Sequence, residues 1–165
     1  MLTCFRATAL PLRAYGTAAA GQPTFDAITI QLYESYAHAD FNTSARVPAQ
    51  TASEYLEGWV PLLAAGWEVE FSSAPEFGWP SQSVAVPPSQ LVLGLANAWA
   101  GGDNPKSFLA LPDELAKAWA ALSAKNLTMR GGTFWSIPQE GQVPPGGSEP
   151  LFLATGLNSI LHTRS

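Results

Sequence analysis

Residues 91–95 read Leu-Val-Leu-Gly-Leu, a short apolar run bounded by turn-forming residues. Such a run is typical of a strand in a buried parallel sheet. Parallel strands need long crossover connections, which are usually helices, and helical patterns flank this run on both sides. The stretch therefore predicts a strand of a parallel sheet in an α/β protein.

Two further strands are predicted on either side of this run. The earlier one covers residues 25–33, FDAITIQLY, in which aliphatic side chains alternate with a mixed set that ends in Gln31 and Tyr33. Both faces should be at least partly covered, the aliphatic face by helices and the mixed face by a barrel interior, with Gln31 and Tyr33 near the C-terminal end. The later strand covers residues 131–137, GGTFWSI.

A helix is predicted after each strand. Thr51 and Glu54 form a capping box at the start of the first helix, and Gly66 ends it. The second helix covers residues 112–126 with a proline at its first position, and the third covers residues 151–161. This order demands parallel pairing with right-handed crossovers. Three βα units fit either a small open α/β domain or three eighths of a (β/α)₈ barrel.

An irregular segment separates the first helix from the second strand. Residues 67–71 read WEVEF, which favours a short extra strand, and the prolines that follow exclude a long helix. We therefore expect an insertion at this place. The chain has 165 residues, whereas a closed (β/α)₈ barrel usually needs about 250. Barrel strands in this chain would thus belong to an incomplete barrel.

Composition limits the classes of partner. Only 13% of the residues are charged and the net charge is −5, which argues against duplex nucleic acid or an anionic membrane surface. No apolar run reaches the roughly 18 to 20 residues of a transmembrane helix, so the chain should be soluble and not an integral membrane protein. A neutral, polar partner fits this composition better.

Motifs for metals, cofactors and common nucleophiles are missing from the sequence. Cys4 is the single cysteine, and His38 and His162 lie far apart, so there is no Cys/His pattern for a metal. The paired glycines lack the spacing of nucleotide-binding loops, and no G-x-S-x-G elbow is present. We therefore expect neither a metal nor a cofactor.

Aromatic residues are the most informative candidates for a site. The chain has six Trp, four Tyr and eight Phe, and aromatic faces stack on sugars. Trp135 is placed at the C-terminal end of a parallel strand, where barrel proteins bind ligands; the competing interpretation is that it belongs to the core. Trp99 follows the second strand and is a weaker candidate. His38 and Asp40 follow Tyr33 and are expected to be solvated loop residues.

Three segments together resemble family 18 glycoside hydrolases, the chitinase family, and in particular their last three strands. These segments are Phe25-Asp26 with Gln31-Leu32-Tyr33, then residues 91–95, then residues 130–137 with the sequence RGGTFWSI. The resemblance implies a partial (β/α)₈ TIM barrel made of βα units six to eight, with an insertion before the second of them. It also implies retaining hydrolysis of β-1,4-linked N-acetylglucosamine polymers, such as chitin.

The resemblance implies a role for each matched residue. In the family, a fourth-strand glutamic acid protonates the leaving oxygen and the acetamide of the substrate attacks the anomeric carbon. Tyr33 would be the catalytic tyrosine that positions the acetamide, Gln31 its polar neighbour, and Trp135 the floor under the reacting sugar. The family signature D-x-x-D-x-D-x-E occurs nowhere in the 165 residues, so the chain alone should be inactive. Glu34 stands where many relatives have Asn, on the wrong strand for the acid.

The chain is expected to have two parts. Residues 1–24 are expected to be a leader or a disordered segment, and residues 25–165 the C-terminal portion of a chitinase-type barrel domain. The start does not resemble a fifth barrel strand, which indicates a truncated gene model or a gene fragment. The family implies secretion, and the glycosylation sequons at Asn42 and Asn126 are consistent with it, although no clear signal peptide is present.

Alternative interpretations follow from the same residues. A non-catalytic carbohydrate-binding protein would use the aromatic residues to stack on sugar without the acid. A small parallel α/β domain would instead bury its aromatic residues in the core. An incomplete barrel would leave strand edges unpaired, and such edges favour self-association.

Overall fold

The computed structural model describes residues 25–33, 38–70, 81–100 and 108–162. The predicted N-terminal leader lies outside these residues. The helices and strands of the described part are β1 (Ile28–Gln31), α1 (Ala52–Ala65), β2 (Trp67–Val69), β3 (Gln82–Val84), β4 (Leu91–Ala96), α2 (Pro112–Ala124), β5 (Gly131–Trp135) and α3 (Leu153–His162). The predicted mixed α/β fold is confirmed.

The main sheet contains β1, β4 and β5 in that order, and both pairs of neighbours are parallel. Gln31 lies opposite Gly94, which in turn lies opposite Thr133, and Ala96 lies opposite Trp135. Because all three strands run the same way, their C-terminal ends meet at one edge of the sheet. The predicted parallel pairing of the three strands is confirmed.

The core lies on one face of this sheet. α1 packs against α2, and α2 packs against α3. Alternation along the strands directs their aliphatic side chains towards these helices. The completely buried large side chains of the core include Leu32, Leu56, Leu93, Leu95, Phe108, Leu115, Leu122 and Leu153. Trp119 of α2 belongs to the same core and is 2% exposed.

On the opposite face of the sheet, the two outer strands β1 and β5 are open within the described part of the chain, whereas Gly94 and Ala96 of β4 are buried. Thr29 and Gln31 of β1 are exposed, and so are Thr133 and Trp135 of β5. Parallel sheets are usually covered on both faces. The expected cover on the mixed face of β1 is therefore not found among the described residues, because the helices α1, α2 and α3 contribute to a single layer.

Two glycines allow α3 to lie close to its neighbours. A Cβ atom at Gly132 would lie 2.8 Å from Cδ2 of Leu157, so the end of the Leu157 side chain would have to shift. A Cβ atom at Gly156 would lie 2.6 Å from Cβ of Pro112, at the start of α2. Close contact of α3 with α2 therefore depends on the absence of a side chain at Gly156, whereas a side chain at Gly132 would require Leu157 to move.

The predicted capping box of α1 is confirmed. The Glu54 backbone N–H donates to Oγ1 of Thr51 at 3.1 Å, and the Thr51 N–H donates to Oε2 of Glu54 at 2.8 Å. The helix ends before Gly66, whose φ of 84° lies in the region that favours glycine. These signals are local, which is why the sequence predicts both ends of the helix.

The predicted insertion contains a two-stranded antiparallel sheet. β2 pairs with β3, with Trp67 opposite Val84 and Val69 opposite Gln82. The backbone N–H of Val86 donates to the Leu63 carbonyl at 2.9 Å, which ties the segment after β3 to α1. The extra strand that WEVEF predicts is thus confirmed. Among the described residues, no helix is both long enough and apolar enough to cross a membrane.

Candidate functional site

A cleft of about 520 Å³ lies at the C-terminal ends of β1, β4 and β5. This edge is where proteins with parallel sheets commonly bind ligands. We call it the aromatic cleft, and its lining residues are Gln31, Tyr33, Trp99, Trp135, Ser136 and Gln139. All four residues that the sequence predicts to bind substrate therefore lie around one cavity.

Trp135 is the most exposed of the large aromatic side chains in the cleft. It is 64% exposed, whereas the core residue Trp119 is 2% exposed. Alternation in β5 places Trp135 on the open face of the sheet, together with Thr133. The competing interpretation of Trp135 as a core residue is therefore wrong.

Tyr33 and Trp99 form the opposite part of the cleft. Their rings meet edge to face, with centroids 5.8 Å apart and an interplanar angle of 89°. This is a favoured arrangement for two aromatic rings, because the positive edge of one faces the negative face of the other. Gln31 Nε2 lies 3.5 Å from the Tyr33 carbonyl oxygen. The T-shaped pair brings Trp99 of the β4 loop next to the predicted catalytic tyrosine of the β1 loop.

The backbone at Trp135 is held by the segment that follows β4. The Asn97 backbone N–H donates to the Trp135 carbonyl at 3.1 Å, and the indole N–H of Trp99 donates to the same oxygen. Asn97 Nδ2 donates to the Ser136 carbonyl at 3.1 Å. The peptide bond between Trp135 and Ser136 is cis. Both carbonyls that flank Ser136 Cα are thus fixed by donors from the neighbouring loop.

Behind this backbone, Asn97 continues into a polar network. Asn97 is fully buried, and its Nδ2 also donates to Oε2 of Glu140 at 3.1 Å. The other carboxylate oxygen of Glu140 accepts from the Ala154 backbone N–H, in the first turn of α3, at 2.8 Å. Asn97 Oδ1 accepts from the Ala98 N–H at 2.9 Å. The network therefore links the loop after β4, the loop after β5 and the start of α3.

The lining of the cleft is aromatic and neutral. Its polar side chains are amides, hydroxyl groups and an indole N–H, which can hydrogen-bond to an uncharged ligand. Within the described part of the chain, no carboxylate lines the cleft. Among the residues that the structure describes, no three His, Cys, Asp or Glu residues cluster closely enough to hold a metal ion. The arrangement suits stacking and hydrogen bonding to a neutral ligand.

The predictions for the residues that follow Tyr33 differ in how they compare with the structure. Glu34 lies outside the described residues. His38 is exposed, as predicted, and has a φ of 56°. Asp40 is 8% exposed, so the prediction that it is solvated is wrong. A π-helical turn, Phe41–Ala45, follows Asp40 and packs against α1, which removes Asp40 from solvent.

The buried carboxylate of Asp40 affects the pKa of Tyr55 in α1. Burial and, as the smaller cause, the negative charge of Asp40 together raise the pKa of the Tyr55 hydroxyl from 10.0 to about 12. Tyr55 stacks on Trp59 with centroids 6.1 Å apart and contacts Phe108 at 5.6 Å. This cluster belongs to the core, and its residues do not line the aromatic cleft.

Four residues of the site were not predicted from the sequence: Asn97, Ser136, Gln139 and Glu140. A signal exists for Asn97, because it directly follows a buried strand at the edge where parallel sheets bind ligands. Glu140 carries no such signal, since its place in a loop rich in Pro and Gly predicts only exposure. Comparison of the chain with protein-family models, with curated protein sequences and with solved structures found no match.

Proposed function

We propose that the aromatic cleft binds β-1,4-linked N-acetylglucosamine polymers, and that the chain is the C-terminal part of a chitinase-like barrel of glycoside hydrolase family 18. One observation carries the proposal. Gln31 and Tyr33 belong to one of the segments that resemble the family and Trp135 belongs to another, and all three line a single cleft. Parallel pairing brings the strand ends together, and the resemblance supplies the proposed role of each residue that meets there.

The barrel part of the proposal is supported by the sheet. Three parallel strands follow each other in chain order, and the described helices pack on one side of them. The other face carries Thr29, Gln31, Thr133 and Trp135, which are exposed. In a (β/α)₈ barrel, the outer face of each strand meets helices and the inner face meets side chains from other strands. βα units six to eight of such a barrel would have this pattern of exposure.

The proposed roles follow from the chemistry of the ligand. An N-acetylglucosamine unit offers an apolar sugar face, hydroxyl groups and an acetamide. The exposed indole of Trp135 provides a platform for the sugar face, while Tyr33 and Gln31 provide hydrogen-bonding groups for the acetamide. In the family mechanism, holding the acetamide close to the anomeric carbon contributes proximity and orientation.

Proton transfer to the leaving group is the part of the mechanism that the described cleft lacks. No carboxylate lines it, and both oxygens of the nearby Glu140 already accept hydrogen bonds. The same observation favours the second candidate, a non-catalytic carbohydrate-binding protein. The two candidates share the ligand and the binding residues, and differ in whether a general acid completes the site. An in-frame D-x-x-D-x-D-x-E segment upstream of Met1 in the transcript would support the enzyme.

The ligand is tested by comparing two sugars of equal length. Titration of the 165-residue chain with chitin oligosaccharides should quench tryptophan fluorescence, whereas cello-oligosaccharides, which lack the acetamide, should bind more weakly. Tyr33→Phe should reduce the preference for chitin oligosaccharides, and Tyr55→Phe, a change in the core, should keep it. Equal affinity for both sugars, or no binding of either, would overturn the proposal. We also propose that the protein is extracellular. Detection of the protein in the secreted fraction tests this localisation.

A further inference from the structure

A buried hydrogen-bonded pair lies behind the most exposed aromatic residue of the cleft. We propose that Asn97 and Glu140, which we call the Asn97–Glu140 clamp, are positioning residues that hold Trp135 in the orientation needed to stack on sugar. This inference rests on the proposed function, because it assigns the clamp a role in ligand binding. It adds two residues that the family resemblance does not contain.

Packing alone does not fix Trp135. The side chain is 64% exposed, so few neighbours restrict it, and its direction depends mainly on its backbone. That backbone is held by the loop after β4, whose Asn97 N–H and side-chain amide donate to the Trp135 and Ser136 carbonyls at 3.1 Å each. Supporting residues of this kind set the precision of a binding site.

Both side-chain oxygens at position 140 must accept a hydrogen bond. Asn97 Nδ2 and the Ala154 backbone N–H are both donors, and Glu140 accepts from them at 3.1 and 2.8 Å. A glutamine at this position has one oxygen and one NH₂ group, so either orientation places a donor against a donor. A carboxylate is also favourable at the first turn of α3, where backbone N–H groups point outwards.

The partners of position 97 require an amide. Its NH₂ group meets two acceptors, the Ser136 carbonyl and Oε2 of Glu140, while its oxygen accepts from the Ala98 N–H at 2.9 Å. Aspartate has nearly the same shape but would turn an oxygen towards both acceptors. Because Asn97 is fully buried, water cannot relieve that mismatch.

These requirements give a reciprocal test with isosteric variants. Asn97→Asp breaks the contact between the two side chains, and Glu140→Gln breaks either that contact or the one with the Ala154 N–H. In the double variant, the new NH₂ group at position 140 can donate to the new carboxylate at position 97, while the Gln oxygen still accepts from Ala154. The double variant therefore restores the pair, although the Ser136 carbonyl still loses its donor.

Two measurements on the full 165-residue chain report on the clamp. Titration with chitin oligosaccharides gives the affinity, and two-dimensional NMR gives the indole N–H signals, assigned through Trp135→Phe and Trp99→Phe. We expect each single variant to lose about tenfold in affinity, and the double variant to lose about tenfold instead of the hundredfold product of the singles. The indole signals of Trp135 and Trp99 should shift or double in the single variants, while that of Trp119 reports an intact core.

A control variant that is only less stable should differ from the clamp variants in affinity and in the Trp135 signal. Leu122→Ala removes a buried side chain of α2 and lowers stability, yet should leave the affinity and the Trp135 signal unchanged at temperatures where the chain is folded. Single variants that keep the wild-type affinity and Trp135 signal would overturn the clamp while leaving the proposed function in place. A double variant that loses the full product of the single effects would also overturn it. Wild-type protein that binds no oligosaccharide would overturn the proposed function and, with it, the role of the clamp in binding.

Discussion

Truncation of Trp135 to alanine should damage ligand binding more than it damages the fold. The residue is 64% exposed, so about a third of an aromatic surface of up to about 250 Å², or about 80 Å², is buried in the folded chain. At about 25 cal/mol per Å², losing this burial costs about 2 kcal/mol of unfolding free energy at most. Loss of an aromatic anchor from a binding site costs about 2 kcal/mol or more, or roughly 30-fold in Kd.

Paired measurements on the same variant separate the two effects. Denaturant melts give the change in unfolding free energy, and oligosaccharide titrations of the folded protein give the change in Kd. Trp119→Ala is the matched control, because it removes a buried tryptophan from the core and should cost about 3 to 5 kcal/mol of stability. Its folded fraction should keep the affinity of the wild type. Unchanged affinity of Trp135→Ala would remove this residue from the site and refute the argument from its exposure.

Four further outcomes are expected. The chain alone should not hydrolyse chitin oligosaccharides, because a general acid contributes about 10²- to 10⁴-fold; turnover by pure protein that Glu34→Gln abolishes would contradict this. Within the described residues β1 and β5 each pair on one side only, so the chain should self-associate through these edges; a monodisperse monomer in sedimentation would show otherwise. The pKa of Tyr55 is about 12 in the folded chain, against an ordinary value of 10.0, so its contribution to stability is complete below pH 10 and is lost as the pH rises towards 12. Denaturant melts across this range should show a smaller decline for Tyr55→Phe, and identical declines would contradict the assignment. Gly156→Ala should destabilise by about 1 to 3 kcal/mol because its Cβ would meet Pro112, whereas Gly58→Ala in α1, with open space around it, should stabilise by about 0.5 to 1 kcal/mol; equal melting temperatures of the two variants would contradict the contact.

Local signals explain how much of the fold could be predicted. The capping box at Thr51, the proline at position 112 and the apolar run of β4 each depend on neighbours within a few residues, and each predicted its element correctly. The exposure of the mixed face of β1 could not be predicted in the same way. Burial of Gln31 depends on what lies across the sheet, and that information is absent from the alternation along one strand.

The residues of the site also fall into those that local signals predict and those that depend on distant parts of the chain. Strand ends placed Tyr33 and Trp135 at one edge, and the structure brings both into the aromatic cleft. Burial of Asp40 depends on a π-helical turn that packs against α1, and no short sequence pattern indicates such a contact. The partners of Glu140 come from positions 97 and 154, so its role depends on three loops and helix ends that only the folded chain brings together.

The β2–β3 insertion has a consequence for the entropy of chain closure. The register pairs Ile28 with Leu91, 63 positions later, and Val92 with Gly131, 39 positions later. Because closure entropy grows with the logarithm of length, the longer connection costs only about 0.4 kcal/mol more than the shorter one. Removing the insertion would recover a similarly small amount. This connection can therefore gain or lose residues during evolution with little effect on the pairing of β1 with β4. Its length is free to vary while the cleft at the C-terminal ends of the strands keeps its geometry.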